Sequence, residues 1–396
     1  MREVEVDQQD TDQVYFQNLQ KLEQCIKPIH EAKGIPNEYY TKTEYFDLEK
    51  EILFNKGWFA VGFVKDLPQP GSVRPVNYFK NPLLLIRSIQ DKKIRVFQNV
   101  CRHRGMTLIK DPKVLKGAIR CPYHSWCYKQ TGEVVATPHI GGPSYNYHSD
   151  INKSELSLIE VRSHVWRDVI FVNPDGRAKP FEEVHKPLLE RWSSFDQPMH
   201  SDMSDSSFEL GVKTNWKLAV ENYLESYHLP WIHPGLNSYS KLEDHENIVK
   251  YGHYSGQISN KYIPRYSTGK QFQNFKNLSS EWNSKGEYIV LFPNLILGVQ
   301  KDHVFNLIIE PIGCDQIKEH VEIYYSDSSM LSDEYQQTRL ENTKLWRTVF
   351  EEDIFVVEGM QQGRYAEGFD GGRFSPVMDE PTHVFHDWYA RKILKV

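Results

Sequence analysis

The spacing of apolar residues divides the chain into a β-rich first half and a mixed second half. Between Trp58 and about Asn173, short apolar runs such as PLLLIRSI, KIRVFQNV and VIFVN alternate with turns rich in Gly, Pro and Asp, a texture typical of β-strands. We therefore predict an all-β domain over residues 46–175, which ends at the turn sequence NPDG. Residues 1–45 look helical and then irregular, and we can map no motif onto them.

Residues 176–396 combine helical and strand patterns. Residues 215–229 and 332–362 have helical periodicity. The runs EYIVLFP, LILGVQ, VFNLIIEPI and HVEIYY, which lie between them, have the pattern of antiparallel strands. Strands bracketed by helices predict a domain with an antiparallel sheet flanked by helices, similar to the helix-grip arrangement. The expected fold class is therefore α+β, with the all-β domain placed first.

Composition limits the classes of function. The chain has 396 residues, of which 39% are hydrophobic and 25% charged, so it is globular and too long for one ordinary core. Its net charge is −6 and no basic run stands out, so we expect no nucleic-acid partner. The N-terminus is polar and acidic, and no apolar run approaches the roughly 18 residues of a membrane span. We therefore expect a cytoplasmic protein without a membrane partner.

Two short Cys/His segments carry the sharpest chemical signal. The first is Cys101-Arg-His103-Arg-Gly and the second is Cys121-Pro-Tyr-His124-Ser-Trp, with 17 residues between His103 and Cys121. Thiolate and imidazole ligands suit zinc or an iron–sulfur centre, and two histidines that replace two cysteines on one iron define the Rieske arrangement. A zinc site more usually pairs C-x2-C with H-x3–5-H. The mixed segments favour an iron–sulfur cluster, with a structural zinc site as the alternative.

A second group of metal-binding residues lies in NWKLAVENYLESYHLPWIHPG, residues 215–235. Helical spacing places Glu221, Glu225 and His228 on one face, and His233 follows five residues after His228. Two histidines with nearby carboxylates are typical of a 2-His-1-carboxylate iron site, which leaves coordination positions open for O2 and substrate.

The third ligand must be an acidic residue from elsewhere, and the helix at 332–362 offers several. Asp353 falls in the gap of the apolar stripe of this helix, whereas Glu351 and Glu352 lie towards its solvated face. An unpaired buried carboxylate is costly, so Asp353 should either bind metal or form a buried salt bridge to an arginine.

Together these segments resemble the ring-hydroxylating oxygenase α-subunit family. CRHRG…CPYHSW is similar to its Rieske motif, residues 215–235 to its N-W-K…E-N…Y-H…H motif, and EED to its third-ligand segment, so the resemblance covers roughly residues 45–396. It implies a [2Fe–2S] cluster held by Cys101, Cys121, His103 and His124, and a mononuclear Fe²⁺ held by His228, His233 and Asp353. Respiratory Rieske proteins carry extra cysteines where this chain has Met106 and Tyr123.

The resemblance also implies partners. In the family, an acidic residue at the position of Glu225 bridges the Rieske histidine of a neighbouring subunit to the first iron histidine. This implies a head-to-tail homotrimer in which His124 of one chain works with His228 of the next. The resemblance further implies that electrons come from a separate NAD(P)H-dependent reductase; no GxGxxG fingerprint appears in this sequence.

Two features resemble the branch of the family that acts on quaternary ammonium and N-methyl compounds. They are Glu rather than Asp at position 225, and the C-terminal stretch FSPVMDEPTHVFHDWYARKI. We therefore expect O2-dependent hydroxylation or oxidative N-demethylation of a small methylammonium compound. Tyr223, Tyr227 and Trp231 flank the predicted iron ligands; aromatic residues can cage a methylated ammonium group, but at such positions they are more often part of the core. The alternatives are an oxygenase for aromatic rings or aromatic acids, and a Rieske electron-transfer protein without oxygenase activity.

Overall fold

The computed structural model describes residues 17–202 and 204–396, which belong to two compact units. One unit is Phe54–Phe181, and the other joins Glu182–Val396 to the described part of Met1–Leu53. The domain limits predicted at 45/46 and 175/176 lie several residues upstream of these limits. None of the described helices has the length and apolarity that a membrane crossing requires, and the cytoplasmic location stays a prediction.

The unit Phe54–Phe181 is built from antiparallel strands, as predicted. Seven strands form one sheet in the order β1-β10-β9-β4-β3-β2-β5, and three form a second sheet in the order β6-β7-β8. The strands are β1 (Phe59–Phe63), β2 (Ser72–Tyr78), β3 (Asn81–Arg87), β4 (Ile94–Gln98), β5 (Lys113–Val114), β6 (Ile119–Arg120), β7 (Cys127–Tyr128), β8 (Val134–Ala136), β9 (Glu160–Trp166) and β10 (Val169–Asn173).

These strands fix both Cys/His loops. The first loop follows β4, and the second connects β6 to β7. Phe97 on β4 and Trp126 in the second loop belong to one buried apolar cluster that also contains Cys101 and Cys121. The cysteines are therefore anchored in the core of the unit.

The other unit contains a seven-stranded antiparallel sheet in the order β11-β17-β16-β15-β14-β13-β12. Its strands are β11 (Ser207–Val212), β12 (His245–Lys250), β13 (Tyr254–Ser259), β14 (Gly286–Leu291), β15 (Leu295–Gln300), β16 (His303–Gly313) and β17 (Gln316–Tyr325). Helices are α1 (Glu38–Thr41), α2 (Thr43–Glu49), α3 (Phe181–Val184), α4 (Lys186–Arg191), α5 (Trp216–Leu224), α6 (Leu229–Ile232), α7 (Pro234–Asn237), α8 (Asp333–Gly363) and α9 (Glu380–Leu394). The predicted α+β architecture is confirmed.

Helix α5 is shorter than the periodicity indicated. Asn215 caps its start by accepting a hydrogen bond from the Lys217 N–H at 3.0 Å. The helix ends at Leu224, because Glu225 is extended, with φ −120° and ψ 155°. The Glu225 carboxylate accepts hydrogen bonds from the backbone N–H groups of Tyr227 and His228. In a continued helix these N–H groups would donate to backbone carbonyls instead, so the side chain competes with helix formation.

The segment that precedes Phe54 packs against α5. Lys217 is fully buried, and its ammonium donates to the Glu49 carboxylate at 2.5 Å and to the Tyr39 carbonyl at 2.8 Å. Glu221 is also buried and pairs with His386 at 3.2 Å. It therefore serves the packing of the helix and does not face the same way as His228, which corrects the shared face predicted from helical spacing.

Candidate metal centres

The two Cys/His loops adopt matching backbone turns. In each loop, the cysteine N–H donates to the carbonyl five residues later, at 2.8 Å in both cases. Each cysteine carbonyl also accepts from the N–H four residues later, at 3.0 and 3.1 Å. That fourth residue has a positive φ in both loops, 70° at Gly105 and 59° at Ser125. The turn needs the left-handed region, which glycine adopts without strain and which costs serine some energy.

The cysteine and histidine side chains of these loops differ in burial. Cys101 and Cys121 are buried, whereas His103 is exposed and His124 is half-buried. The two imidazole rings lie 4.7 Å apart, and His103 stacks on Trp126 at 4.8 Å. Two thiols in the interior and two imidazoles near the surface fit a [2Fe–2S] cluster that has one buried and one outer iron.

Tyr128 adds an interaction that the sequence analysis missed. Its hydroxyl oxygen lies 3.2 Å from Cys101 Sγ and accepts a hydrogen bond from the Arg102 N–H at 3.0 Å. Its own proton is therefore free to point at the sulfur. Hydrogen bonds to ligand sulfurs are among the factors that set the potential of iron–sulfur clusters.

The structure brings together His228 and His233, which lie within residues 215–235, and Asp353, which lies on the long helix at 332–362. One ligand atom from each lies within 4.8 Å of the others. Asp353 Oδ1 is 3.0 Å from His233 Nε2 and 3.7 Å from His228 Nε2. This oxygen is buried without a hydrogen-bond partner among the described residues. Ligands about 2.1 Å from one ion lie about 3 to 3.5 Å apart, so the donor set fits a metal ion.

A carboxylate holds each of the two histidines by its other ring nitrogen. His228 Nδ1 contacts Glu225 Oε1 at 2.6 Å, and His233 Nδ1 contacts Glu352 Oε2 at 2.8 Å. A carboxylate at Nδ1 fixes the tautomer and leaves Nε2 as the ligand atom. Burial lowers the pKa of His233, but its interactions with the carboxylates of Asp353 and Glu352 outweigh burial and raise it.

Glu352 corrects one prediction, because it is bonded to His233 and does not belong to the solvated face. Its neighbour Glu351 is exposed and pairs with Arg347 at 2.7 Å, as a solvated residue would. Glu225 and His228 were predicted to lie one helical turn apart. The helix has already ended at Leu224, and the two side chains meet because the Glu225 carboxylate folds back onto the turn that follows.

A pocket of about 440 Å³, counting its open mouth, contains this triad. Its walls include four aromatic side chains and neither Lys nor Arg; the lining residues are Tyr223, His228, Leu229, His233, Leu236, His245, Gln257, Tyr288, Trp346, Val349, Phe350 and Asp353. Of the three aromatic residues that flank the iron ligands in the sequence, only Tyr223 lines it. Tyr227 and Trp231 are 46% and 69% exposed.

Comparison with known families agrees with this geometry. Residues 190–395 match the ring hydroxylating alpha subunit (catalytic domain) family, and residues 57–148 match the Rieske [2Fe-2S] domain family. The chain belongs to the ring-hydroxylating α-subunit family. It is thus a Rieske-type oxygenase subunit, an oxidoreductase whose cofactors are a [2Fe–2S] cluster and a non-haem iron, and both donor sets described above fit these groups.

Several relatives are similar along most of their length. The carnitine monooxygenase oxygenase subunit of Acinetobacter pittii is 26% identical over 351 residues, which cover 88% of this chain and 89% of that protein. Chloroplastic choline monooxygenase of Atriplex hortensis is 25% identical, with coverage of 96% and 82%. The solved structure of the quaternary ammonium Rieske monooxygenase CntA with L-carnitine has a TM-score of 0.75 at 22% identity, covering 93% and 97% of the two chains, and shares the fold.

Replacing Tyr128 with Phe should lower the reduction potential of the cluster, because the thiolate loses a hydrogen-bond donor. A bond that strengthens by about 1 kcal/mol on reduction corresponds to about 40 mV for one electron. A spectroelectrochemical titration measures this shift. The control is Tyr123→Phe, which changes an exposed ring of the same loop and should leave the potential unaltered. An unchanged potential in Tyr128→Phe would contradict the proposed hydrogen bond.

Replacing Glu352 with Ala should weaken the mononuclear iron site by about 10- to 100-fold in metal affinity, the usual cost of losing an outer-sphere carboxylate. Competition with a chelator, followed by iron analysis, measures this affinity. Glu351→Ala is the matched control and should bind iron normally, and Asp353→Ala should lose the mononuclear iron with an unchanged cluster spectrum. Normal iron affinity in Glu352→Ala would rule out this role.

Proposed function

We propose that the chain is a terminal oxygenase that hydroxylates or oxidatively N-demethylates a small quaternary ammonium or N-methyl compound. It would use O2 and electrons from a separate NAD(P)H-dependent reductase. The observation that carries this proposal is the convergence of His228, His233 and Asp353 in a pocket with an aromatic wall and neither Lys nor Arg among its lining residues.

Each metal group has a defined set of residues to hold it. Cys101, Cys121, His103 and His124 would hold the [2Fe–2S] cluster, and the triad would hold Fe²⁺. When bound, the cluster supplies single electrons and the iron supplies the O2 chemistry. Glu225 and Glu352 orient the two imidazole rings, and the apolar wall excludes water from the reacting carbon.

The pocket wall favours a cationic substrate. Tyr288 lies 5.9 Å from Trp346, and Tyr223 stacks on Phe350 at 6.4 Å, so several ring faces border one space. Aromatic faces attract methylated ammonium groups. An acidic substrate would need a Lys or Arg partner, and none lines the pocket. The relatives named for carnitine and choline support the same class.

Charge supports association between copies of the chain. Phe54–Phe181 contains 20 Lys and Arg but only 9 Asp and Glu, a net charge of +11, whereas the rest of the chain carries −17. Complementary surfaces of this kind favour contact between the first unit of one copy and the second unit of another. A heterologous contact that closes gives a ring, consistent with the expected homotrimer.

Such a ring would place His124 of one copy near Glu225 of the next. Glu225 already holds His228 Nδ1, so its carboxylate has the contact needed on the iron side of a bridge. Tyr227 and Trp231 are exposed beside it, 5.9 Å apart, and exposed aromatic residues are common at protein interfaces.

A substrate screen tests the proposed function. The holoenzyme, reduced without oxygen, is mixed with O2 and with each of several methylammonium and aromatic compounds, and cluster reoxidation and products are followed. We expect methylammonium compounds to accelerate reoxidation and to be oxidised. Turnover of aromatic compounds alone would favour the aromatic-ring alternative. Two irons per chain instead of three, without any product, would favour an electron-transfer protein.

Replacing Glu225 with Gln should retain both metal groups yet slow product formation at least about tenfold, because the bridge loses its carboxylate. Iron analysis and single-turnover product measurement separate the two effects. Glu243→Gln, an exposed carboxylate on the same unit, is the control. If the variant reoxidised its cluster at the normal rate with substrate and O2, the bridging role would be wrong.

A further inference from the structure

A second cavity adjoins the iron pocket. It measures about 330 Å³ with its open mouth and shares the side chains of Tyr223, Phe350 and Asp353 with that pocket. The remaining lining residues are Val212, Ala219, Asn222, Ile296, Glu319, Ile354 and Val357. All but two of these seven are apolar, and the only acidic one is Glu319.

Glu319 occupies a position where the fold calls for an apolar residue. It lies on β17, where side chains alternate between the two faces of the sheet. Ile317 and Val321, two residues to either side, are buried on the same face. Glu319 is opposite Leu210 on β11 and Ile309 on β16, which are buried too. A carboxyl group therefore replaces an aliphatic side chain in the layer between sheet and helices.

Nothing in the described residues compensates this burial. Glu319 is 8% exposed, and no described residue gives it a hydrogen bond or an ion pair. Burial, followed by the nearby charge of Asp353, raises the pKa of its carboxyl to about 8. Near neutral pH the carboxyl is therefore mostly uncharged until a cation beside it favours the ionised form. A buried carboxyl without a partner destabilises the fold, so a chain that carries one has a use for it.

The cavity has the composition of a cation site. Two carboxyl groups, Glu319 and Asp353, and two aromatic rings, Tyr223 and Phe350, border it, and none of its lining residues is Lys, Arg or His. When Asp353 is bound to a metal ion, Glu319 is the carboxylate left to face a ligand. Carboxylate and aromatic faces together recognise methylated ammonium groups.

We propose that Glu319 is the counter-charge that selects a cationic substrate, whose ammonium group lies between this carboxylate and the rings of Tyr223 and Phe350. The assignment rests on the proposed function, and it deepens it by naming the residue that distinguishes a charged substrate from an uncharged one of the same shape. Glu319 is a specificity residue in this role and does not take part in metal binding.

The test compares two probes of nearly identical shape. Choline carries a charged nitrogen where 3,3-dimethylbutan-1-ol has a carbon atom. Calorimetry at a pH above the pKa of Glu319 measures the binding of each to the oxidised holoenzyme, so that the carboxyl is ionised and the readout does not depend on turnover. We expect the wild-type protein to bind choline at least about tenfold more tightly than the neutral isostere.

Glu319→Gln keeps the shape of the side chain and removes its charge. We expect it to lose at least about tenfold in choline affinity with little change for the isostere, and Glu319→Asp to retain part of the preference. Glu310→Gln is the control, because it removes a carboxylate from the opposite face of the same sheet, where Glu310 contacts His320 at 2.7 Å.

The outcomes separate the two proposals. If the wild-type protein prefers choline and Glu319→Gln keeps the full preference, or weakens both probes equally, the assignment of Glu319 is wrong while the substrate class stands. If the wild-type protein binds neither probe, or prefers the neutral one, the cationic substrate class itself fails and Glu319 fails with it.

Discussion

The catalytic unit depends on two carboxylate–imidazole hydrogen bonds that aim two ring nitrogens at one buried oxygen. Glu225 holds His228 and Glu352 holds His233, both through Nδ1. Each Nε2 then faces Asp353 Oδ1, which has no hydrogen-bond donor of its own among the described residues. Without the two outer carboxylates the rings could rotate, and the three ligand atoms would have no common point.

The early end of α5 makes this arrangement possible. Had the helix continued to residue 229, Glu225 and His228 would project from its surface, and Glu225 could not receive the backbone N–H groups that it now caps. Because Glu225 is extended, the chain turns, and α6 begins directly after His228 and ends before His233. A local competition between side chain and backbone thus sets the position of two of the proposed metal ligands.

The sequence predicted those parts of the site that follow from local pattern. The long helix α8 is regular, so its apolar stripe correctly indicated that Asp353 lies inward, and the Cys/His spacing indicated the loops. Glu352 and Tyr128 were missed at the sequence level, because their partners His233 and Cys101 are distant in the sequence. Glu319 was missed as well, because the lack of a partner for a buried carboxyl is visible only in the folded chain. Periodicity alone places Glu352 at the edge of the solvated face, and only the position of His233, 119 residues earlier, gives it a role.

The electrostatics of the iron pocket provide an argument for the substrate class that is independent of the aromatic wall. If Fe²⁺ binds at the proposed site, it brings two positive charges, and the carboxylates of Asp353, Glu225 and Glu352 bring three negative ones when ionised. With neutral imidazoles, such a centre would carry one excess negative charge in a largely apolar space. A cationic substrate neutralises that charge, a neutral substrate leaves it, and an acidic substrate doubles it. The charge of the proposed ligand set thus favours a cation over an anion, and an ionised Glu319 would add to the same preference.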